Sequence, residues 1–328
     1  MPDLPGLPGN QSLARTEEDA PVFARYRLRF SLTHRGAGFV VVAALLASAC
    51  SLGGSSPSVD GSLKIVATTT VFADIVRNVA GDRATVISII PAGAGPEDYE
   101  PKPDDARRLA DADLIVSNGV GLDDFLDQLI DAAGEGAAAR LVLGEGIPTI
   151  TVDGETNPHF WLDPNLVTSH YIPAISAALT KLDPSGASTF TTNADAYIAQ
   201  VEAMDSANKA KIDTIPTANH KLVTFHDAFP YFAAHYGFEV IGVILANVGQ
   251  EPTASELAAL VEKVRAAHVK AVFSEAQFSP ELATTLAEEA GITTVVTTLY
   301  NDTVGPPPTD TYLRLMEWNV DEIVKALR

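Results

Sequence analysis

The stretch STFTTNADAYIAQVEAMDSANKAKIDTI, Ser188 to Ile215, decides how the chain is divided. Tyr197, Ile198, Val201, Met204 and Ile212 recur in it at helical spacing, within an alanine-rich, polar background. So sparse an apolar stripe over such a length suits a helix that crosses a surface or bridges two bodies. The spacing predicts a stiff connector.

On both sides of it, short apolar runs alternate with amphipathic ones. Upstream, strands are expected at Leu63–Thr68, Ala84–Ile90, Leu114–Ser117 and Leu141–Leu143. Helices are expected at Val71–Ala80 (closed by Gly81), around Asp104–Asp111, at Leu122–Ala133 and at Asn165–Lys181. Downstream, the expected strands are Leu222–Phe225, Glu239–Val243, Ala271–Ser274 and Thr294–Thr298. Between them fall helices at Pro230–Tyr236, ended by Gly237, and from the capping box Thr253-Ala254-Ser255-Glu256 to about Ala267. Two more follow, Pro280–Ala290 with Ser279 as N-cap and Thr311–Leu327. Such alternation implies βαβ units and parallel sheets. The expected fold is α/β, with two parallel-sheet βα lobes joined by one long backbone helix.

Composition narrows the function. With 22 basic against 42 acidic residues the formal charge is −20, which argues against a nucleic-acid partner. The single cysteine, Cys50, excludes an internal disulfide and a cysteine-rich zinc site. Its position is informative. Arg25, Arg27, Arg29 and Arg35 precede an apolar run from Phe39 to Ala47, and Ala47-Ser48-Ala49 lead directly into Cys50. A basic segment, a short apolar core and small residues before a cut make a secretory signal. The run is shorter than the roughly 20 residues that span a bilayer. The small residues before the cysteine resemble a bacterial lipobox, with Ala47 where leucine is usual. Cys50 is therefore expected to be the acylated first residue of the mature protein, anchoring it to a membrane face. The plain alternative is a signal peptide with an incidental cysteine. The Gly/Ser/Pro-rich segment that follows reads as a tether. Expected divisions are 1–49 extension and signal, 50–62 tether, 63–164 first lobe, 165–215 helical connector and 216–328 second lobe.

In open α/β sheets, ligands bind in loops beyond the carboxyl ends of the strands. Four such loops carry donor groups: Pro91–Pro101 with Glu97, Asn157–Pro164 with His159, His226–Tyr231, and Leu299–Asp302. In the second, NPHFWLDP, a histidine sits between two prolines on a restrained backbone. Alone, it reads as a buried loop histidine bonded to its neighbours. Two imidazoles with two carboxylates form a donor set for a divalent first-row cation, and the carboxylate charges would cancel that of the ion. The long-range spacing leaves a metal site and a set of solvated acids both open.

Longer wording then points to one family. PxGxxPxxYEP at Pro91–Pro101, NPHFWLDP, HDAFPYFAxxYG at His226–Gly237, QEPTASELAALV at Gln250–Val261, SEAQFSP at Ser274–Pro280 and DTYLRLMEWNV at Asp310–Val320 are similar to stretches of one family. The sequence resembles the zinc/manganese solute-binding lipoproteins of bacterial ABC importers, the cluster A-I family. The resemblance implies two lobes joined by a backbone helix, with Zn²⁺ or Mn²⁺ held between them. It places His159, His226 and Asp302 at ligand positions, and Glu97 where the family usually has histidine, with Asp98 as the adjacent alternative. Glu100 belongs to the supporting YEP wording. Trp161 is expected to pack beneath the site, and Asp163 either to orient His159 or to cap the following helix. Asp227 and Glu275 are candidates for supporting the ligands. His170, His220, His235 and His268 carry no assigned role, and His34 lies in the signal segment. A histidine-rich loop, which many zinc-specific members insert, is missing from Leu143–Thr156.

The resemblance thus implies an extracytoplasmic, lipid-anchored capture protein on the bacterial cell membrane, working as a monomer with an ABC permease and its ATPase. It is not expected to be an enzyme. Two rival readings use the same fold: a zinc-dependent hydrolase, which needs an open position for water, and a surface adhesin with a structural metal.

Overall fold

The structure is a computed structural model that describes residues 62–97, 99–133, 138–152, 154–245 and 250–328. The signal segment, Cys50, the tether up to residue 61 and Asp98 lie outside the described residues. Among the described residues, no helix is long and apolar enough to cross a membrane.

The first lobe is built on strands β1 (Leu63–Ala67), β2 (Ala84–Ser88), β3 (Leu114–Ser117) and β4 (Ala139–Val142). All pair in parallel, in the order β2-β1-β3-β4, with Ile65 opposite both Val86 and Leu114. Every residue of β3 is buried, as a central parallel strand covered on both faces requires. Helices α1 (Thr70–Ala80), α2 (Pro103–Ala110) and α3 (Phe125–Ala133) complete the crossovers. A small hairpin, β5 (Thr151–Val152) with β6 (Glu155–Thr156), then leads to the His159 loop. Next come the single turn α4 (Pro164–Leu166), a π-turn at Val167–Tyr171 and α5 (Ile172–Leu182).

Helix α6 (Ala187–Ile212) has 26 residues and so spans about 39 Å. Phe190, Ala194, Tyr197, Val201, Met204, Asn208 and Ile212 form its buried stripe. They pack on α1 of the first lobe, on α5 and on the last helix, α10 (Tyr312–Leu327). The connector is therefore part of the core as well as a bridge.

The second lobe contains β7 (Lys221–His226), α7 (Pro230–Tyr236), β8 (Glu239–Leu245), α8 (Ala254–Ala266), β9 (Ala271–Glu275), α9 (Glu281–Ala290) and β10 (Thr294–Leu299). β7 pairs in parallel with β8, β9 with β10, and β7 runs alongside β9. Among the described residues the strands hydrogen-bond only in the pairs β7–β8 and β9–β10, but the spatial order β8-β7-β9-β10 repeats that of the first lobe.

Several boundaries differ from the sequence expectation. β2 stops at Ser88 and does not reach Ile90. β4 covers Ala139–Val142 rather than Leu141–Leu143. α3 starts at Phe125, not Leu122, and the chain approaches it through Gly119, Val120 and Gly121, which all take positive φ (77°, 58° and 88°). The helix expected at Asn165–Lys181 is present, running from Pro164 to Leu182 with a π-helical segment at Val167–Tyr171, whereas α6 ends at Ile212, short of Ile215. α9 has Pro280 at its N-cap position without a side-chain cap, and Ser279 only accepts a 3.4 Å bond from the Glu281 amide.

An unforeseen ion cluster ties the pieces together. The His235 side chain, on α7, is buried between Asp163 at the start of α4 (2.8 Å) and Asp205 of α6 (2.7 Å), and Lys209 also meets Asp205 at 2.7 Å. Burial alone would lower the His235 pKa, but the two carboxylates push it up to about 9. Burial likewise opposes ionisation of Asp205, yet His235 and Lys209 hold it at about 2. A histidine raised from 6.5 contributes its full stabilisation below pH 6.5 and loses it as pH climbs through about 9. His235→Gln should thus destabilise the protein at pH 6 by on the order of 2 to 3 kcal/mol, with the gap narrowing toward pH 10. Urea unfolding of both proteins across that range checks this, and a gap independent of pH would contradict it.

Candidate metal centre

Each of the four donor loops leaves the carboxyl end of a strand. The Glu97 loop follows β2 and is held at its turn by a 3.1 Å bond from the Gly93 amide to the Thr303 hydroxyl. At Gly95 the backbone approaches so closely that a Cβ would lie 3.2 Å from Glu97 Oε2 and 3.3 Å from Gln277 Nε2. A side chain there would press into the cluster of donors.

His159 precedes a turn, Phe160–Leu162, whose three side chains are buried. Trp161 packs beneath the site as expected, with its ring 5.1 Å from the imidazole and its indole N–H donating to Asn301 O (2.8 Å). His226 ends β7, and Asp302 follows β10 with its amide donating to Asn301 Oδ1 (2.7 Å).

These four side chains come together. One donor atom from each of Glu97, His159, His226 and Asp302 lies within 4.8 Å of all the others. His159 Nε2 is 3.5 Å from Asp302 Oδ1 and 3.8 Å from Glu97 Oε1, and His226 Nε2 is 3.7 Å from Asp302 Oδ2. Donors around a tetrahedral ion at 2.0–2.2 Å stand about 3.3–3.6 Å apart, so only small inward movements are needed. His159, His226 and Asp302 are buried, whereas the Glu97 side chain is 25% exposed and forms the wet side. Among the described residues, His159 Nε2 and Asp302 Oδ1 are buried without a hydrogen-bond partner, which a cation between them would satisfy.

The surroundings prepare the donors. Asn157 Oδ1 sits 3.1 Å from His159 Nδ1, which leaves the Nε2 lone pair facing the cluster. The Asn157 amide nitrogen donates in turn to Asp227 O (2.6 Å) and Oδ2 (3.1 Å), beside His226. Gln277 Nε2 donates to Asp302 Oδ2 (3.0 Å). Glu275 lies 3.2 Å from His226 Nδ1. Of the two roles open to Asp163, the structure shows capping: it accepts from the Asn165 amide (2.9 Å), and its ion partner is His235. In the YEP wording, Tyr99 donates to Asp105 (2.6 Å) and braces the start of α2.

Charge is balanced by sharing. Burial and the nearby Asp302 raise the Glu97 pKa. Burial opposes ionisation of Asp302 too, but the neighbouring His159 and His226 imidazoles and the Gln277 amide lower its pKa. Burial would depress His226, but Glu275, Asp302 and Glu97 push it up to about 10. A cation at Nε2 therefore competes with a proton that balances these carboxylates.

Asn157 and Gln277 do not stand out by residue type, although both lie inside quoted motifs. His235 gives no signal in the sequence, since an isolated histidine on an amphipathic helix looks like any surface residue.

An α/β body with two like lobes and a largely buried two-imidazole, two-carboxylate cluster between them, wet only at Glu97, is the architecture of a binding protein for a small cationic cargo. Residues 65–326 match the family described as "ZnuA: Zinc-uptake complex component A periplasmic". The chain is 31% identical over 292 residues to the manganese-binding lipoprotein MntA of Halalkalibacterium halodurans, covering 88% of this chain and 96% of that one. It is 30% identical over 292 residues to the iron ABC transporter substrate-binding lipoprotein MtsA of Streptococcus pyogenes serotype M1, covering 85% and 93%. Among solved structures, the Mn-bound periplasmic metal binding protein from Candidatus Liberibacter asiaticus superposes with a TM-score of 0.73 at 27% identity, over 81% of this chain and 100% of that one. The periplasmic zinc binding protein TroA from Treponema pallidum gives 0.75 at 28%, over 81% and 99%. The chain belongs to the ZnuA family.

Proposed function

We propose that this protein captures Zn²⁺ or Mn²⁺ outside the cytoplasmic membrane and delivers it to the permease and ATPase of an ABC importer. The observation that carries the reading is the convergence of Glu97, His159, His226 and Asp302 within 4.8 Å between the lobes. The two carboxylates match the charge of a divalent ion, which lowers the cost of burying it, and the imidazoles supply borderline nitrogen donors. The lobes are residues 63–164 and 216–328, with 165–215 as connector. Membership of the ZnuA family and the names of the lipoprotein relatives support this role over hydrolysis or adhesion. Four protein donors also leave little room for the water that a catalytic zinc holds, so the protein acts as a carrier rather than an enzyme. It functions as a monomer, anchored by an acylated Cys50. Cys50→Ala should move it from the membrane fraction to the soluble one, and a variant that stays membrane-bound would sink the anchor.

Glu97 sets the balance between ions. A glutamate in place of histidine makes the donor set richer in oxygen, which helps Mn²⁺, yet the Irving–Williams order still puts Zn²⁺ first in vitro. Glu97→His should widen the preference for zinc. Glu97→Ala should weaken both ions by roughly a hundredfold, about 2.8 kcal/mol. Competition calorimetry on the three proteins tests this, and unchanged affinities would remove Glu97 from the site.

A further inference from the structure

Glu275 presents a physical problem that the four-donor cluster leaves unsolved. It is the last residue of β9, the strand lying between β7, which ends in His226, and β10, which leads to Asp302. The residue is fully buried. Among the described residues neither carboxylate oxygen makes a hydrogen bond of ordinary geometry, and its ion-pair neighbour is His226 Nδ1 at 3.2 Å. Apolar rings close the surroundings: Phe278 stands 5.4 Å from the His226 ring and stacks on Phe225 at 4.7 Å. A carboxylate buried in such a place destabilises a fold unless something offsets its lost hydration.

Fixing the direction of the imidazole does not require that charge. His159 is oriented by a neutral amide, Asn157 Oδ1, at nearly the same distance, 3.1 Å. What a carboxylate adds over an amide is electron density. It strengthens the pull on the Nδ1 proton and makes Nε2 a better donor to a cation.

We propose that Glu275 is a positioning residue for metal capture, which holds His226 with Nδ1–H toward itself and raises the donor strength of Nε2. The inference rests on the metal-capture reading above. It also makes the two imidazoles unequal: His226 becomes the stronger donor and His159 the weaker one. Glu275 touches no cargo itself.

The test compares wild type with Glu275→Gln, which keeps shape and an acceptor but removes the charge. Zn²⁺ and Mn²⁺ affinities are measured by competition titration, and the absorption bands of the Co²⁺-loaded proteins report the ligand field. The variant should bind both ions about 10- to 100-fold more weakly and shift the Co²⁺ bands. Its metal-free form should stay folded, with a melting temperature lowered only modestly, because His226 keeps Asp302 as a carboxylate neighbour (3.7 Å) when the Glu275 charge is removed. Affinities within about threefold of wild type, or unshifted Co²⁺ bands, would overturn the proposal. So would a metal-free variant that is markedly destabilised or unfolded, because Glu275 would then be a structural residue. If wild-type protein binds neither ion, the functional reading falls, and this inference with it. Wild-type binding with an indifferent variant overturns this inference alone.

Discussion

The indole N–H of Trp161 donates to the carbonyl of Asn301 across 2.8 Å, joining the loop that carries His159 to the loop that carries Asp302. Most of the site depends on bonds of this kind between lobes. Tyr312 donates its hydroxyl proton to Trp161 O (2.8 Å), while its amide donates to the buried Asp74 of α1 (2.8 Å). Asn157 reaches Asp227, and Thr70 meets Thr303 at 2.8 Å. Each such contact joins the two lobes and would be lost if they parted. Four donor loops from two lobes can then bring donor atoms within 4.8 Å of one another, because the backbone beneath them is already tied. Helix α6, packed against α1, α5 and α10, makes the same connection over a longer distance.

Within that frame, electrostatics sets what the cluster can hold. The groups that most favour the ionised form of Glu97 and Asp302 are the neighbouring imidazole side chains. A divalent cation would satisfy both acids and the orphaned Nε2 of His159 together. Glu97, the partly wetted member, leaves one side of the cluster open to solvent. An open groove lined by Pro158, Asp227 and Gly121 continues from it.

Much of this was legible in the chain. The alternation of strand and helix revealed the lobes because parallel strands, covered on both faces, must be continuous apolar runs. Gly81, Gly237 and the Thr253 capping box marked helix ends for reasons that act within a few residues. His159, His226 and Asp302 stood out because chemistry-bearing residues followed strand ends. What stayed hidden depends on distant neighbours. The hairpin of β5 and β6 has only two residues in each strand, too few for any period to register. Positive φ at Val120 is imposed by its two glycines and by Asp123, which accepts from the Asn118 and Gly119 amides (2.6 and 2.8 Å). His235 acquires its partners, Asp163 and Asp205, from far earlier in the chain, and no local pattern encodes that. Asn157 could have been found, since an amide two residues before a candidate ligand is well placed to reach its Nδ1.

The central claim is that one divalent ion sits among Glu97, His159, His226 and Asp302. Crystals grown separately with Zn²⁺ and Mn²⁺, with diffraction collected on both sides of each absorption edge, test it most directly. The account predicts a single strong anomalous peak between the lobes, within about 2.0–2.3 Å of Nε2 of both histidines and of an oxygen from each carboxylate. A cleft without a peak, or an ion bound by other residues, would contradict it.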